Sequence, residues 1–212
     1  MKALIIGATG STGKELLDLI LKDNYFDKVE IFVRRNISIS NDKLKVNVID
    51  FDKTDQWKNL VKGDVLFSCL GTTLKAAGSK DAQWKIDYQY QYDFAKEAKQ
   101  NQVKNYVLIS SAFASADSSF FYSKMKGQLD DDIKKLDFEN TIIFKPPILE
   151  RKDSKRTTEI WTVKAIKFFN KFGILKKNKP ISTEVLAQSM INALKKLKSG
   201  THILEQQEIL EY

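Results

Sequence analysis

Short apolar segments alternate with longer amphipathic segments along the chain. The short segments predict strands at Lys2–Ile6, Lys28–Val33, Leu44–Ile49, Asp64–Ser68, Asn105–Ser110 and Asn140–Phe144, with a late strand at His202–Leu204. The longer segments have helical spacing and predict helices at Thr12–Lys22, Asp55–Val61, Asp81–Gln100, Tyr122–Lys135, Thr158–Phe172 and Thr183–Lys198. This alternation is typical of a doubly wound α/β fold, in which helices cover both faces of a parallel sheet. We expect six to seven strands and a single domain over residues 1–212, with a core over 1–149 and a short C-terminal region over 150–212.

The carboxyl ends of parallel strands meet at one edge of a doubly wound sheet, and ligands bind there. In this chain, the segments that follow strands at that edge are Gly7–Gly13, Arg34, Cys69–Thr72, Ser110–Ser111 and Lys145–Ile148. We therefore expect the functional residues to come from these segments.

The first of these segments is rich in glycine. Gly7, Gly10 and Gly13 stand between an apolar strand and a helix whose apolar face includes Leu16 and Ile20. Glycines at such a turn allow the backbone N–H groups to approach a pyrophosphate, and the helix dipole favours its negative charge. The pattern predicts a dinucleotide site, and the rest of the turn (Thr9, Ser11 and Thr12) belongs to the predicted contacts.

The second strand ends in Arg34 and Arg35, and its one acidic residue, Glu30, lies inside the strand. An NAD site usually has an acidic residue at the strand end, whereas an arginine there accommodates the 2′-phosphate of NADP. The pair therefore predicts NADPH over NADH, although two surface arginines would give the same sequence. Asp50 and Phe51 close the third strand and either flank the adenine or form an ordinary strand end.

A tyrosine can donate a proton to a carbonyl if a nearby lysine ammonium favours its phenolate form. Residues four apart share a helix face, and both Tyr122/Lys126 and Tyr92/Lys96 have this spacing. Only Tyr122 follows a strand that delivers serines to the ligand-binding edge, at Ser110 and Ser111, where a hydroxyl could polarise a substrate carbonyl. We therefore predict Tyr122 as the acid and Lys126 as its partner and a ribose ligand.

These residues give the chain a resemblance to a known family. It resembles the short-chain dehydrogenase/reductases, in particular the small atypical branch similar to the Tat-interacting protein. The resemblance covers residues 2–149 and rests on the Gly7–Gly13 turn, Arg34-Arg35, Cys69-Leu-Gly-Thr-Thr73, Ser110-Ser111, Tyr122/Lys126 and Lys145-Pro-Pro-Ile-Leu149. It implies cofactor contacts from Leu70, Gly71, Thr72, Pro146, Pro147 and Ile148. It also implies that Ser111, rather than Ser110, is the catalytic serine.

The chain departs from this family in two places. Many relatives carry an asparagine that relays protons, and the nearest residue here is Asp87, which cannot donate a hydrogen bond when ionised. About sixty residues follow the predicted nicotinamide loop, too few for the substrate domain of a sugar-nucleotide epimerase. The sequence therefore argues against epimerisation.

Composition narrows the other possibilities. The net charge is +8, but the lysines are dispersed, whereas a nucleic-acid site clusters its charge, so no nucleic acid is expected. No apolar run reaches the roughly 18 residues of a membrane-spanning helix. One cysteine, Cys69, fits a reducing compartment, and we expect a cytoplasmic protein. The single histidine, His202, has no ligand cluster around it, so no metal site is expected.

The sequence thus predicts an NADPH-dependent oxidoreductase that reduces a small carbonyl compound. The alternative is a regulatory protein that holds NADPH without turnover and acts through a partner. Either form could assemble as a homo-oligomer or bind another protein, and the basic amphipathic segment Thr158–Phe172 either caps the substrate pocket or contacts a membrane or a partner.

Overall fold

The computed structural model describes residues 1–150 and 180–212. Nine strands lie in these ranges: β1 (Lys2–Ile6), β2 (Lys28–Val33), β3 (Leu44–Val48), β4 (Val65–Ser68), β5 (Asn105–Ile109), β6 (Asn140–Lys145), β7 (Leu149–Glu150), β8 (Ile181–Ser182) and β9 (Gly200–Glu205). The α-helices are α1 (Ser11–Lys22), α2 (Thr54–Trp57), α3 (Leu74–Ala77), α4 (Lys80–Trp84), α5 (Tyr90–Gln100), α6 (Phe121–Lys135), α7 (Thr183–Lys196) and α8 (Gln206–Ile209). A 3₁₀ turn follows α2 at Lys58–Leu60, and a π-helical segment joins α4 to α5 at Lys85–Gln89.

Seven strands form one sheet in the order β3-β2-β1-β4-β5-β6-β9, and every neighbouring pair is parallel. The strand order reverses between β1 and β4, which makes the carboxyl ends of these two strands the expected ligand-binding crevice. The predicted doubly wound α/β fold is therefore confirmed. Strands β7 and β8 pair separately, outside this sheet.

Apolar residues from the two faces of the sheet form two hydrophobic layers. One layer joins β1, β2, β4 and β6 to α1 and α7, through side chains such as Leu16, Ile20 and Met190. The other layer joins the opposite face to α2, α5 and α6, where the Trp57 and Phe94 rings stack with centroids 4.0 Å apart. Helices on both faces leave the carboxyl edge of the sheet open for the site.

A polar network lies on the second face of the sheet, at Glu30 in β2. Its carboxylate accepts hydrogen bonds from Asn47 Nδ2 at 2.9 Å and Lys45 Nζ at 3.2 Å, and it pairs with Lys2 Nζ at 2.7 Å. Burial by itself would raise the pKa of Glu30, but the bonds from Lys2 and Asn47 offset that effect and hold the pKa below its usual value. The interior acid that the sequence placed inside β2 is thus fully paired.

The segment between β5 and α6 packs directly on the backbone of α6. A Cβ atom built on Gly127 would lie 2.1 Å from the Ser115 carbonyl carbon, so only glycine permits this approach. The Ser115 amide also donates a hydrogen bond to the Ser123 carbonyl at 3.0 Å. This contact fixes the connection that leads from Ser110 to Tyr122.

The element predictions agree with the structure in most places. The helix expected over Asp81–Gln100 begins at Lys80 and is interrupted by the π segment. The short elements α3, β7, β8 and α8 were not predicted, because four or fewer residues carry no measurable periodicity. The expected helix Thr158–Phe172 falls outside the described residues. In the part of the chain that is described, no helix has the length and apolar composition required to cross a membrane.

Candidate cofactor and catalytic site

The glycine turn after β1 is packed against the loop that follows β4. Gly7 has a φ of +80°, and a Cβ atom there would lie 2.4 Å from the Cys69 carbonyl carbon. A Cβ atom on Gly13 would lie 2.1 Å from the Gly7 carbonyl oxygen. Side chains at these two positions would break the turn, so the backbone is held in the shape that a diphosphate cradle requires.

The N-terminus of α1 is available to an anion. Its N-cap is Gly10, no side chain caps the first turn, and no acidic residue occurs in that turn. Unpaired N–H groups and the positive end of a 12-residue helix dipole therefore face the carboxyl edge of the sheet. A nicotinamide dinucleotide fits this arrangement through its pyrophosphate.

A cleft of about 170 Å³ extends from this turn to the end of β2, and we call it the Arg34 cleft. It combines a glycine turn, an arginine and apolar side chains. Its lining residues are Gly7, Thr9, Gly10, Phe32, Val33, Arg34, Phe51, Cys69, Leu70, Gly71, Thr72, Ile86 and Tyr90. None of these residues is acidic. Phe51 is buried against Tyr90, with ring centroids 5.1 Å apart, so one aromatic wall of the cleft is preformed.

Two predicted contacts lie beside this cleft rather than in it. Arg35 is exposed and is not among the lining residues. Asp50 is also exposed, its carboxylate is 3.4 Å from Lys53 Nζ, and its carbonyl accepts a bond from the Trp57 indole. The structure therefore separates Arg34 from Arg35 and Phe51 from Asp50, which the sequence treated as pairs.

A second cleft of about 280 Å³ adjoins the first and contains Tyr122, so we call it the Tyr122 cleft. The two clefts share Gly10 and the loop after β4. The lining residues are Gly10, Ser11, Thr12, Cys69, Leu70, Gly71, Thr72, Ile109, Ser110, Tyr122, Lys126 and Leu149. A tyrosine, a lysine and a serine are thus brought together next to the glycine turn.

Lys126 is buried, with 2% of its surface exposed, and its Nζ donates a hydrogen bond to the Ile109 carbonyl at 3.3 Å. Burial lowers the pKa of Lys126, while Asp87 and Asp130 act in the opposite direction. Two carboxylates on different elements thus favour the charged form of this buried lysine.

Asp87 lies in the π segment and is fully buried. Its Oδ1 accepts a hydrogen bond from the Thr72 amide at 2.7 Å. Burial raises the pKa of Asp87, and the Lys126 ammonium and the Thr72 amide offset this only in part. Asp87 thus contacts the loop shared by both clefts.

Asp130 lies one turn after Lys126 on α6 and is also buried. Burial raises its pKa, and the Ser110 hydroxyl and Lys145 counteract that effect. Lys145 Nζ is 3.5 Å from Asp130 Oδ2. Asp130 was not among the residues predicted for the site, and Lys145 was predicted only as part of the segment that follows the sixth strand. The recurrence of an acid four residues after Lys126 was the one signal in the sequence that could have revealed Asp130.

Several other candidates lie outside the two clefts. Ser111, Pro146, Pro147 and Ile148 are not among the lining residues of either cleft, although Ser110 and Leu149 are. The alternative acid, Tyr92, is likewise absent from both and stacks on Tyr88. Burial raises the pKa of Cys69 to about 12, which makes its thiol a poor nucleophile at neutral pH.

A parallel sheet with a switch point, a glycine turn leading into an open helix N-terminus, and an adjoining Tyr/Lys cleft define a nicotinamide-dinucleotide-binding protein with a Rossmann fold. Comparison with known proteins gives the same class. A family model described as NAD(P)H-binding matches residues 7–196. The chain belongs to this NAD(P)H-binding family, within the atypical, Tat-interacting-protein-like branch of the short-chain dehydrogenase/reductases.

Two relatives illustrate this membership, and one solved structure has a similar fold. "Protein FMP52-1, mitochondrial" of Scheffersomyces stipitis is 36% identical over 200 residues, which cover 91% of this chain and 88% of the relative. Protein HTATIP2 of Rattus norvegicus is 36% identical over 157 residues, covering 71% of this chain and 64% of the relative. The structure of MoeE5 in complex with UDP-glucuronic acid and NAD has a TM-score of 0.74 at 12% identity, covering 97% of this chain and 76% of MoeE5, so it supports the fold alone.

One expectation from the sequence is wrong. The fungal relatives are named as mitochondrial proteins, which points to mitochondria rather than to the cytoplasm. The expectation rested on Cys69 as the one cysteine of the chain. A low cysteine content reports only a reducing environment and does not distinguish one reducing compartment from another.

Proposed function

We propose that this protein is an NADPH-dependent reductase of a small, largely apolar carbonyl compound. The observation that carries the proposal is the Tyr122 cleft, in which Tyr122, Lys126 and a serine stand beside the glycine turn and the Leu70–Thr72 loop. These side chains are the ones that carbonyl reduction requires: a proton donor, a cation beside it and a hydroxyl that can bind the carbonyl oxygen.

The cofactor would be held by the backbone of Gly10, Ser11 and Thr12 at its pyrophosphate and by Arg34 and Phe51 at its adenosine end. Bound NADPH would supply a hydride to the carbonyl carbon. Lys126 would bind the ribose near the nicotinamide, in agreement with its place in the wall of the Tyr122 cleft.

The protein side chains would bind the carbonyl oxygen of the substrate and protonate it. A serine hydroxyl would donate a hydrogen bond to that oxygen and polarise the double bond. The Tyr122 hydroxyl would then transfer its proton to the oxygen as negative charge develops, and the Lys126 ammonium would stabilise the phenolate that remains. The reaction would yield an alcohol.

Two features support the choice of cofactor and substrate. The Arg34 cleft has an arginine and no acidic residue among its lining residues, and a guanidinium binds a phosphate through a rigid fork of donors. Phe113 and Phe120, which lie between Ser111 and Tyr122, are 67% and 76% exposed. Exposed aromatic rings in the segment that leads to Tyr122 favour a substrate with apolar surface.

The test is NADPH oxidation with a panel of aldehydes and ketones, comparing the wild-type protein with Tyr122→Phe. We expect the variant to bind NADPH normally but to turn over at least about a hundredfold more slowly, because it lacks the acid proton. Turnover that survives the substitution would remove Tyr122 as the acid. Tight NADPH binding without turnover in the wild-type protein would favour the regulatory alternative.

The serine requires its own comparison. The resemblance to the family favours Ser111, whereas Ser110 is the serine that lines the Tyr122 cleft. Ser110→Ala and Ser111→Ala, measured with the same substrate, assign the role to whichever variant loses more kcat. Wild-type activity in both variants would show that another group polarises the carbonyl.

A further inference from the structure

Asp87 contacts the cofactor-binding loop with only one of its two carboxylate oxygens. Oδ1 accepts the Thr72 amide at 2.7 Å, and the side chain is entirely buried. Among the described residues, Oδ2 has no hydrogen-bond partner. A buried polar atom without a partner is rare in proteins and calls for an explanation.

Lys126 lines the Tyr122 cleft together with Thr72, the residue that Asp87 binds. Asp87 and Lys126 also act on each other electrostatically. Asp130 is the other carboxylate that acts on Lys126, but it has a cation of its own in Lys145, at 3.5 Å. In the described part of the chain, no second lysine acts on Asp87. Lys126 is therefore the cation that compensates Asp87.

The groups around this pair come from five parts of the fold. The loop after β4 provides the Thr72 amide and the Cys69 thiol, and α6 provides Lys126 and Asp130. The Gln83 side chain of α4 favours the charged form of Asp87, and Gln91 of α5 donates a hydrogen bond to the Asp87 carbonyl at 2.6 Å. Lys145 of β6 acts through Asp130.

We propose that Asp87 is a positioning residue that connects the cofactor-binding loop to Lys126. One oxygen fixes Thr72, and the negative charge keeps Lys126 protonated in the interior. The inference rests on the proposed function for the role of Lys126, but its structural part does not require turnover.

The hydrogen bond and the charge can be separated by two substitutions. Asp87→Asn keeps an oxygen for the Thr72 amide and removes the charge. Asp87→Ala removes both. Asp130→Asn is the matched control, because it also removes a buried charge that acts on Lys126 but makes no contact with Thr72.

The first measurement is the NMR shift of the Thr72 amide proton in the cofactor-free protein as a function of pH. In the wild-type protein and in Asp130→Asn, this proton should respond to ionisation of Asp87. In Asp87→Asn the response should disappear. A Thr72 amide that does not titrate in the wild-type protein would overturn the contact with Asp87, whether or not the protein has enzymatic activity.

The second measurement is NADPH affinity by calorimetry between pH 6 and 9. Asp87→Ala should bind NADPH about tenfold more weakly at pH 6, because the loop loses a bond to a charged acceptor. Asp87→Asn should bind within about threefold of wild type at pH 6. It should lose affinity at lower pH than wild type does, because an uncompensated Lys126 loses its proton more readily.

The third measurement is the pH profile of kcat with an active carbonyl. Its alkaline limb should move to lower pH in Asp87→Asn and move less in Asp130→Asn. Equal behaviour of these two variants in both the affinity and rate profiles would overturn the specific role of Asp87. If no carbonyl is reduced, the amide and affinity measurements still decide the proposal, so its failure and that of the proposed function remain distinguishable.

Discussion

Two buried carboxylates on the same face of the sheet have opposite environments. Glu30, near the amino ends of β1, β2 and β3, is bonded to Lys2, Lys45 and Asn47. Asp87, at the carboxyl edge, has one bonded oxygen and one without a hydrogen-bond partner among the described residues. The pKa is lowered at Glu30 and raised at Asp87, in each case with burial as the largest single influence.

The two carboxylates differ in how far their hydrogen bonds and neighbouring charges offset the cost of removing the charged form from water. At Glu30, three donors favour the charged form, so ionisation stabilises the folded state. At Asp87, the neighbouring groups offset the effect of burial only in part. Ionisation of Asp87 therefore destabilises the folded state as the pH rises. The network around Glu30 thus stabilises the fold. At the carboxyl edge, Asp87 keeps an oxygen that can bind a ligand group or a proton.

The largest effect that would sharpen this comparison is expected at Arg34. Arg34→Asp removes a guanidinium from the Arg34 cleft and introduces a like charge toward a phosphate, so the ratio of NADPH to NADH affinity should fall about a hundredfold. The free energy of unfolding should hardly change, because the side chain is exposed. Calorimetric titration with both cofactors and chemical denaturation provide the two values.

Arg35→Asp is the matched control for this change. Arg35→Asp changes the net charge by the same amount as Arg34→Asp, at the next residue in the sequence. Arg35, however, does not line the cleft. We expect its cofactor ratio to stay within about threefold of wild type, as for a screened surface charge. Equal losses in the two variants would mean that general electrostatic attraction, rather than a fixed contact from Arg34, selects the cofactor.

Glu30→Gln should show the reverse pattern, with lower stability and unchanged NADPH affinity. Loss of the charged acceptor should cost about 2 kcal/mol of unfolding free energy near neutral pH. Because the folded pKa is depressed, this stabilisation is fully present above the unfolded value of about 4.3 and is lost as the pH falls through the folded pKa. Denaturation curves of both proteins should therefore converge in acid. A difference that does not depend on pH would assign the loss to packing.

The sequence predicted the sheet well because its strands are apolar and its helices amphipathic over several turns. Strands β1 and β2 have the predicted bounds, and α6 begins one residue before the predicted position. The π segment was not predicted, because one extra residue per turn leaves the helical periodicity almost unchanged. That segment contains Asp87, so the contact of this carboxylate with the Thr72 amide could be found only from the structure.

Site residues that belong to a short sequence motif could be predicted. Site residues that depend on contacts between distant parts of the sequence could not. The glycine turn, Arg34 and the Tyr122/Lys126 pair follow from short spacings. Arg35 follows the cleft residue Arg34, and Asp50 precedes the cleft residue Phe51. Adjacent residues at a strand end point in different directions, so neither Arg35 nor Asp50 lines the cleft. Asp130 and Lys145 meet only because α6 packs beside β6, and no spacing in the sequence predicts that contact.

The smallest expected effect distinguishes the two lysines that bind Glu30. Lys45 Nζ is 3.2 Å from the carboxylate and its side chain is 59% exposed, whereas Lys2 Nζ is at 2.7 Å and 28% exposed. Lys45→Met should therefore lower the free energy of unfolding by less than about 1 kcal/mol, since solvent screens exposed pairs. Lys2→Met should lower it more, and only its effect should persist in high salt. If Lys45→Met costs as much as Glu30→Gln, the network acts as one cooperative unit, and the difference between Glu30 and Asp87 cannot be divided among individual donors.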